Sequence, residues 1–174
     1  MSDRSDTTGS SRHQGREVAL QVLYAVDLAG HKSPRRLAEP LDTVDDVEGV
    51  EEGEQRPQVP AEDSDRIFDR VAEHFVVPRG ALEFARELVS GVVARLPELD
   101  ELVSLHARNW RVSRMAVVDR NVLRLAAHEL RDTQTPVAVV IDEAVDLARR
   151  FGSDRSPSFV NGVLDAIAKE VRSA

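Results

Sequence analysis

The chain has 174 residues, no cysteine, 41% hydrophobic residues and a formal net charge of −8. That length suits one domain whose core needs neither a disulfide nor a metal, and the missing cysteines exclude a disulfide framework, a cysteine-ligated zinc finger and a thiol nucleophile. The longest wholly apolar runs, Val22–Val26 and Val137–Ile141, are too short to span a bilayer, and Met1–Gln14 is polar throughout, so the expectation is a soluble cytoplasmic chain without signal peptide or transmembrane helix.

Residues 1–11 are rich in Ser, Thr, Asp and Gly and read as a disordered N-terminal tail. A first helix is predicted from about Arg12 to Ala29, with Val18, Ala19, Val22, Ala25, Val26 and Ala29 as its stripe. Leu20, Leu23 and Leu28 broaden that stripe, which predicts burial on more than one side. Gly30 ends the helix.

Leu37, Leu41, Val44 and Val47 keep a weak helical rhythm, after which Gly, Pro and acids accumulate and periodicity is lost. Between Leu37 and Arg66 lie eleven of the 31 acids and two of the 23 bases. That segment carries −9, while the remainder, with 20 acids against 21 bases, carries +1. The acidity belongs to a flexible insert at about residues 45–63, and the rest of the surface is free to carry a basic patch. Two readings of the insert stand: a solvated spacer, or an electrostatic screen competing with RNA for a basic surface.

A short helix follows over Ser64–Phe75, with Ile67, Phe68, Val71 and Phe75 inward. Pro78 opens a longer one to about Leu96, and Pro97 sits at the first turn of another. Trp110 lies on a connector, and Ser113 begins a central helical region with Val117, Val118, Val122, Leu125, Ala126 and Leu130 as the buried stripe. Thr133–Pro136 breaks the chain before a final helical hairpin. In its first helix Val137, Ile141, Ala144, Val145, Ala148 and Phe151 share one face. Gly152 supplies tolerance of a left-handed helix end, and Ser156–Pro157 reads as an N-cap and first turn. Val160, Val163, Leu164, Ile167, Ala168 and Val171 mark the last helix. No stretch alternates like a half-buried strand. The predicted fold is all-α, a single helical-bundle domain over residues 12–174 with about seven helices and an acidic insert after the first.

Nothing in the chain reads as an enzyme. Asp142, Glu143 and Asp146 share a polar helix face with Arg149 and Arg150, the pattern of an ion-paired surface. The five histidines (His13, His31, His74, His106, His128) form no ligand pair, Asp119–Arg120 has no nucleophile nearby, and no phosphate-binding glycine loop is present. No metal and no cofactor is expected. Arg12, His13 and Arg16 stand at the entry to the first helix, where the spacing of Arg12 and Arg16 directs both the same way. Arginine bridges phosphate oxygens and stacks on unpaired bases, which suits single-stranded RNA. A pair of arginines simply solvated is the alternative.

Several stretches carry a family likeness. AVVIDEAVDLARRF at Ala138–Phe151, followed by FVNGVLD at Phe159–Asp165, resembles the C-terminal signature of the NusB family of bacterial transcription antitermination factors. RMAVVDRNVLRLAAHEL at Arg114–Leu130 resembles that family's central helix, and GREVALQVLYAVDL at Gly15–Leu28 its first. The resemblance implies an all-helical, RNA-binding adapter that acts by binding. Its implied partners are boxA-type single-stranded RNA, the small-subunit ribosomal protein NusE, and the RNA polymerase antitermination complex with other Nus factors, working on ribosomal RNA operons. It implies no membrane and leaves a homodimer open.

The same resemblance implies RNA contacts at Arg12, His13 and Arg16, although RHQGRE at Arg12–Glu17 is thinner in arginine than many relatives and Gly15 weakens the helix start. Arg155, in the turn before FVNG where relatives often carry an acid, adds positive charge; a free surface arginine is its alternative. Phe159 is placed at the RNA surface, or else staples the turn to the core. Tyr24 and Glu129 match the tyrosine and glutamate of motifs implied to meet NusE, with Glu129 expected as an exposed carboxylate and His128 replacing a tyrosine common before it. Two alternatives remain: a helical protein–protein adapter with weak or lost RNA binding, and a stand-alone relative of the NusB-like domain of rRNA cytosine methyltransferases. The latter is disfavoured because no cofactor-binding unit follows the helices.

Overall fold

The structure, a computed structural model, describes residues 4–31, 60–108 and 110–172. Over these it contains seven α-helices and no strand: α1 Arg4–His31, α2 Ala61–Ala72, α3 Arg79–Ala94, α4 Leu96–His106, α5 Val117–Asp132, α6 Val137–Phe151 and α7 Ser156–Val171, with a 3-10 turn at Val112–Arg114. Most of the acidic insert lies outside the described residues. Its expected end does not hold, because α2 begins at Ala61, ahead of Ser64.

Three helices start directly after a proline: Pro60, Pro78 and Pro136 hold φ at −54°, −56° and −57° with extended ψ and no side-chain cap. The ring fixes φ, and its missing N–H leaves no donor to satisfy at that position. α1 starts earlier than expected, at Arg4, so residues 4–11 are helical rather than a disordered tail. Once a docked helix is nucleated, each further turn adds hydrogen bonds at little cost, and the weak propensity of Ser, Thr and Gly does not stop it at Arg12.

α1 packs most extensively against α3 and also meets α2 and α5, which explains its broad apolar circumference. Gly15 marks the α1–α3 crossing: a Cβ there would stand 2.8 Å from the Ala81 carbonyl oxygen and 2.8 Å from Phe84 Cδ1. The glycine therefore permits close approach of the two backbones.

α5 is the central helix, and every residue from Arg120 to Leu130 is buried. Its periodicity predicts a simple apolar stripe, but charged residues share the burial because each has a partner. Arg120 pairs with Asp27 and donates to the Met115 carbonyl at 3.0 Å. Arg124 grips Asp100 through two bonds of 2.6 and 2.7 Å, and Asn121 Nδ2 reaches Asp27 at 2.9 Å. Burial alone would raise the Asp27 carboxyl, but the hydrogen bond from Arg120, the charges of Arg124 and Arg120, and the Asn121 amide together hold it below its ordinary value. At the far end Arg172 donates to the carbonyls of Leu130 and Thr133, each at 2.7 Å, satisfying acceptors that the end of α5 leaves free.

The α6–α7 turn departs from the sequence expectation in two ways. Gly152 has φ −96° and ψ −165°, an extended rather than left-handed conformation. Glycine fits there because a Cβ would meet the Ser156 hydroxyl at 2.5 Å and the Ala148 carbonyl at 2.7 Å. Ser156 is not the N-cap but the first residue of α7, and its hydroxyl accepts from the Ser153 N–H at 2.9 Å, tying the turn together. No helix among the described residues is long and apolar enough to cross a membrane.

Candidate functional site

The N-terminal half of α1 lies over Phe84 of α3. The guanidinium groups of Arg12 and Arg16 each stand 5.3 Å from the centre of that ring, so the two side chains do point the same way. Gly15 lets the ring come close enough to serve both. Sequence reasoning misses Phe84; its signal would be a partly apolar position on α3 facing a glycine on α1.

Depth separates the two arginines. Arg12 is exposed. Arg16, expected at the RNA surface, is buried, and its Nε and Nη2 donate to the two oxygens of Glu129 at 2.9 and 2.7 Å. Glu129, expected as an exposed carboxylate, is buried in the same pair. The fork of a guanidinium matches a carboxylate bidentately, and this mutual satisfaction lets both charges leave water. A second carboxylate, Glu143 of α6, lies 3.8 Å from Arg16 and accepts from His13 Nδ1 at 2.7 Å, while His13 Nε2 faces Glu17 at 3.3 Å. Arg150 of α6 also pairs with Glu17. The polar face of α6 is thus ion-paired, as expected, but partly across to α1 rather than only along its own helix; Asp146 and Arg149 make the local pair. Among the described residues no group of three or more His, Asp or Glu side chains is arranged to hold a metal ion.

The remaining predicted residues fall in separate places. Arg155 is exposed in the α6–α7 turn. Phe159, half-buried in the first turn of α7, packs against Trp110 of the α4–α5 connector with ring centroids 5.8 Å apart. It therefore both staples the connector and keeps part of its ring outside. Tyr24 is 37% exposed on α1, with Leu28, 38% exposed, one turn further along. The structure thus joins His13 and Arg16 on α1 to Glu129 and Glu143, sets Arg12 beside Arg16 over Phe84, and separately joins Phe159 to Trp110.

The comparisons agree with this architecture. The family model described as the NusB family matches residues 54–169. The transcription antitermination protein NusB of Sorangium cellulosum is 40% identical over 163 residues, covering 92% of this chain and 94% of that protein. That of Nitratiruptor sp. is 36% identical over 164 residues, covering 94% and 96%. Among solved structures, NusB of T. maritima superposes with a TM-score of 0.68 at 30% identity, covering 91% of each chain. A chain from a crystal structure of antitermination factors NusB and NusE in complex with double-stranded RNA gives a TM-score of 0.68 at 27% identity, covering 92% of this chain and 98% of that one. With its all-helical fold and near full-length similarity to these transcription antitermination proteins, the chain belongs to the NusB family.

Proposed function

We propose that this protein binds boxA-type single-stranded RNA jointly with the ribosomal protein NusE and, with other Nus factors, keeps RNA polymerase processive through ribosomal RNA operons. The observation that carries this reading is the near full-length likeness to a chain crystallised with NusE and RNA. The exposed charge on α1 supports it. Arg12 is held above Phe84 with its guanidinium open to solvent, where it can meet a phosphate, and half-exposed His13 stands beside it. Arg155 and Phe159 supply a second contact region, and Tyr24 with Leu28 offers a partner protein an apolar strip. In this reading Arg16 and Glu129 are positioning residues. They fix the start of α1 against α5 and so set where Arg12 stands.

A second reading, a helical adapter with weak RNA binding, is favoured by one observation: burial of Arg16 leaves Arg12 as the exposed member of the pair. The deciding experiment is fluorescence anisotropy of a labelled boxA-type RNA, titrated with the protein alone and then with NusE. Salt-sensitive binding that strengthens with NusE supports the first reading, together with a log–log salt slope that Arg12→Ala lowers by about 0.7 for each phosphate it no longer neutralises. Absence of binding in both mixtures selects the adapter.

A further inference from the structure

We propose that the groove between α2 and α3 docks a protein segment that presents one large apolar side chain and, on the same face, an arginine or lysine. The groove shares no residue with the RNA and NusE contacts proposed above, so its occupant adds to those partners.

α2 and α3 form a helical hairpin joined by residues 73–78. Between them lies an open groove of about 470 Å³, floored by Phe68 and Ala72 of α2 and Leu82 of α3. That volume falls among sites that hold small ligands, roughly 300–1,000 Å³, so it suits an anchoring side chain rather than a whole helix. Val76, in the joining loop, is fully exposed. A loose loop does not explain this. The N–H groups of His74 and Phe75 donate to the carbonyls of Val71 and Ala72 at 3.1 and 3.0 Å, and Phe75 and Val77 pack against the core on either side of Val76. The backbone therefore holds Val76 outward, in the chain between Glu73 and Arg79, which both line the groove. An apolar floor beside a rigidly presented aliphatic side chain offers a partner a surface to dehydrate.

The charge of the hairpin selects the occupant. Residues 61–94 carry seven acids against four arginines, a net −3, which repels phosphate and attracts a cation. Of those arginines only Arg79 and Arg86 line the groove, and both are engaged. Arg86 lays its guanidinium 4.1 Å from the centre of the Phe68 ring and pairs with Asp65 at 3.2 Å and with Asp69. Arg79 pairs with Glu83 at 2.9 Å. Glu73 is exposed and makes no ion pair among the described residues. The ring and its aspartates thus already accept one guanidinium, and Glu73 stands open to a second cation. The paired side chains are at least 44% exposed, and ion pairs so exposed are worth little, so an incoming base can exchange into them. The apolar anchor supplies affinity, and the carboxylates fix its orientation and the sign of its neighbour.

The test follows the isotope-labelled valine and leucine methyl groups of the full chain by NMR. The probes are short alanine-rich helical peptides in which arginine follows leucine by three or four residues, so that both share a face, and the same peptides with glutamate in place of arginine. The expected result is a saturable shift of the Val76 and Leu82 methyl signals with the arginine peptides, and about fivefold weaker binding of the glutamate peptides. Glu73→Lys should weaken binding of the arginine peptides about fivefold. Val76→Asp, at a fully exposed position, should weaken it without disturbing the fold, and Leu82→Lys should abolish it. A thermal melt checks each variant; should Leu82→Lys fail to fold, Glu73→Lys and Val76→Asp still decide.

No saturable shift at Val76 or Leu82 with any peptide would overturn the docking site. Equal binding of arginine and glutamate peptides would overturn the selection by charge. Shifts of the same methyl signals that grow with protein concentration alone would give the groove to a second copy of this chain and overturn the proposal. Shifts with boxA-type RNA but with no peptide would give it to nucleic acid and overturn it equally.

Discussion

Arg16 and Glu129, 113 positions apart in the chain, close a two-bond ion pair of 2.9 and 2.7 Å in the interior, with their side chains 3% and 2% exposed. The pair joins α1 to the central helix. Removing one partner strands the other charge out of water, so Arg16→Ala and Glu129→Ala should each destabilise the fold by about 3–5 kcal/mol. Thermal and denaturant unfolding would show this, and Arg16→Met combined with Glu129→Leu should recover most of the loss. A wild-type melting curve for Arg16→Ala would mean that the pair does not hold α1.

Arg12 should behave in the opposite way. Its guanidinium is exposed, so Arg12→Ala should change stability by no more than about 0.5 kcal/mol. Its effect should appear in RNA affinity and salt slope instead. A double variant of Arg12 and Arg16 would confuse unfolding with weakened binding, so the single variants must be compared by melting and anisotropy side by side. Unaltered RNA binding in a folded Arg12→Ala variant would remove this residue from the RNA surface.

Gly15→Ala tests the α1–α3 crossing. Helix propensity alone favours alanine by about 1 kcal/mol. The new Cβ, however, would lie 2.8 Å from the Ala81 carbonyl, which belongs to the backbone of α3 and cannot rotate away. The net expectation is a destabilisation of about 1–3 kcal/mol, with Phe84 displaced from beneath Arg12. A stabilised variant would show that the two helices can separate without penalty.

Asp27 should make stability depend on acid pH. Its carboxyl sits below the ordinary value of 3.8, held there by Arg120, Arg124 and Asn121 against the opposing effect of burial. A depressed carboxylate stabilises the fold fully above its unfolded pKa, and that contribution disappears as pH falls through the folded pKa. Asp27→Asn takes from buried Arg120 the carboxylate it pairs with, while Arg124 keeps Asp100, and should cost about 3 kcal/mol at neutral pH. The difference from wild type should narrow as pH drops below 3.8, as followed by denaturant unfolding between neutral pH and pH of about 2. A gap that stays constant with pH would assign the effect to shape rather than charge.

Tyr24 and Leu28 stand one helical turn apart on an exposed strip of α1. Tyr24→Ala should leave the melting temperature within a few degrees of wild type yet weaken NusE binding about tenfold, measured by calorimetry. Unchanged affinity would place the partner elsewhere.

Periodicity in the chain is enough to read the helical class, the approximate order of the elements and most of the core, because Val22, Leu88, Val122, Leu147 and Leu164 each recur at helical spacing and each is buried. The proline-started helices are legible for the same local reason, since a ring that fixes φ acts on its own neighbours. The aromatic pair is half legible: Trp110 can be placed on a connector, but not against Phe159. What local pattern cannot decide is depth for charged residues. Arg12 and Arg16 are the same residue one turn apart on one helix, yet one meets solvent and the other a carboxylate on a helix more than a hundred positions away. Whether a charge can be buried depends on a partner brought by the tertiary fold, and so does whether Gly15 and Gly152 are needed for close approach rather than for a turn. Sequence alone determined which faces are apolar and which family the chain resembles. Only the assembled bundle decided which of its arginines stay at the surface to meet a ligand, because desolvation is settled by neighbours in space.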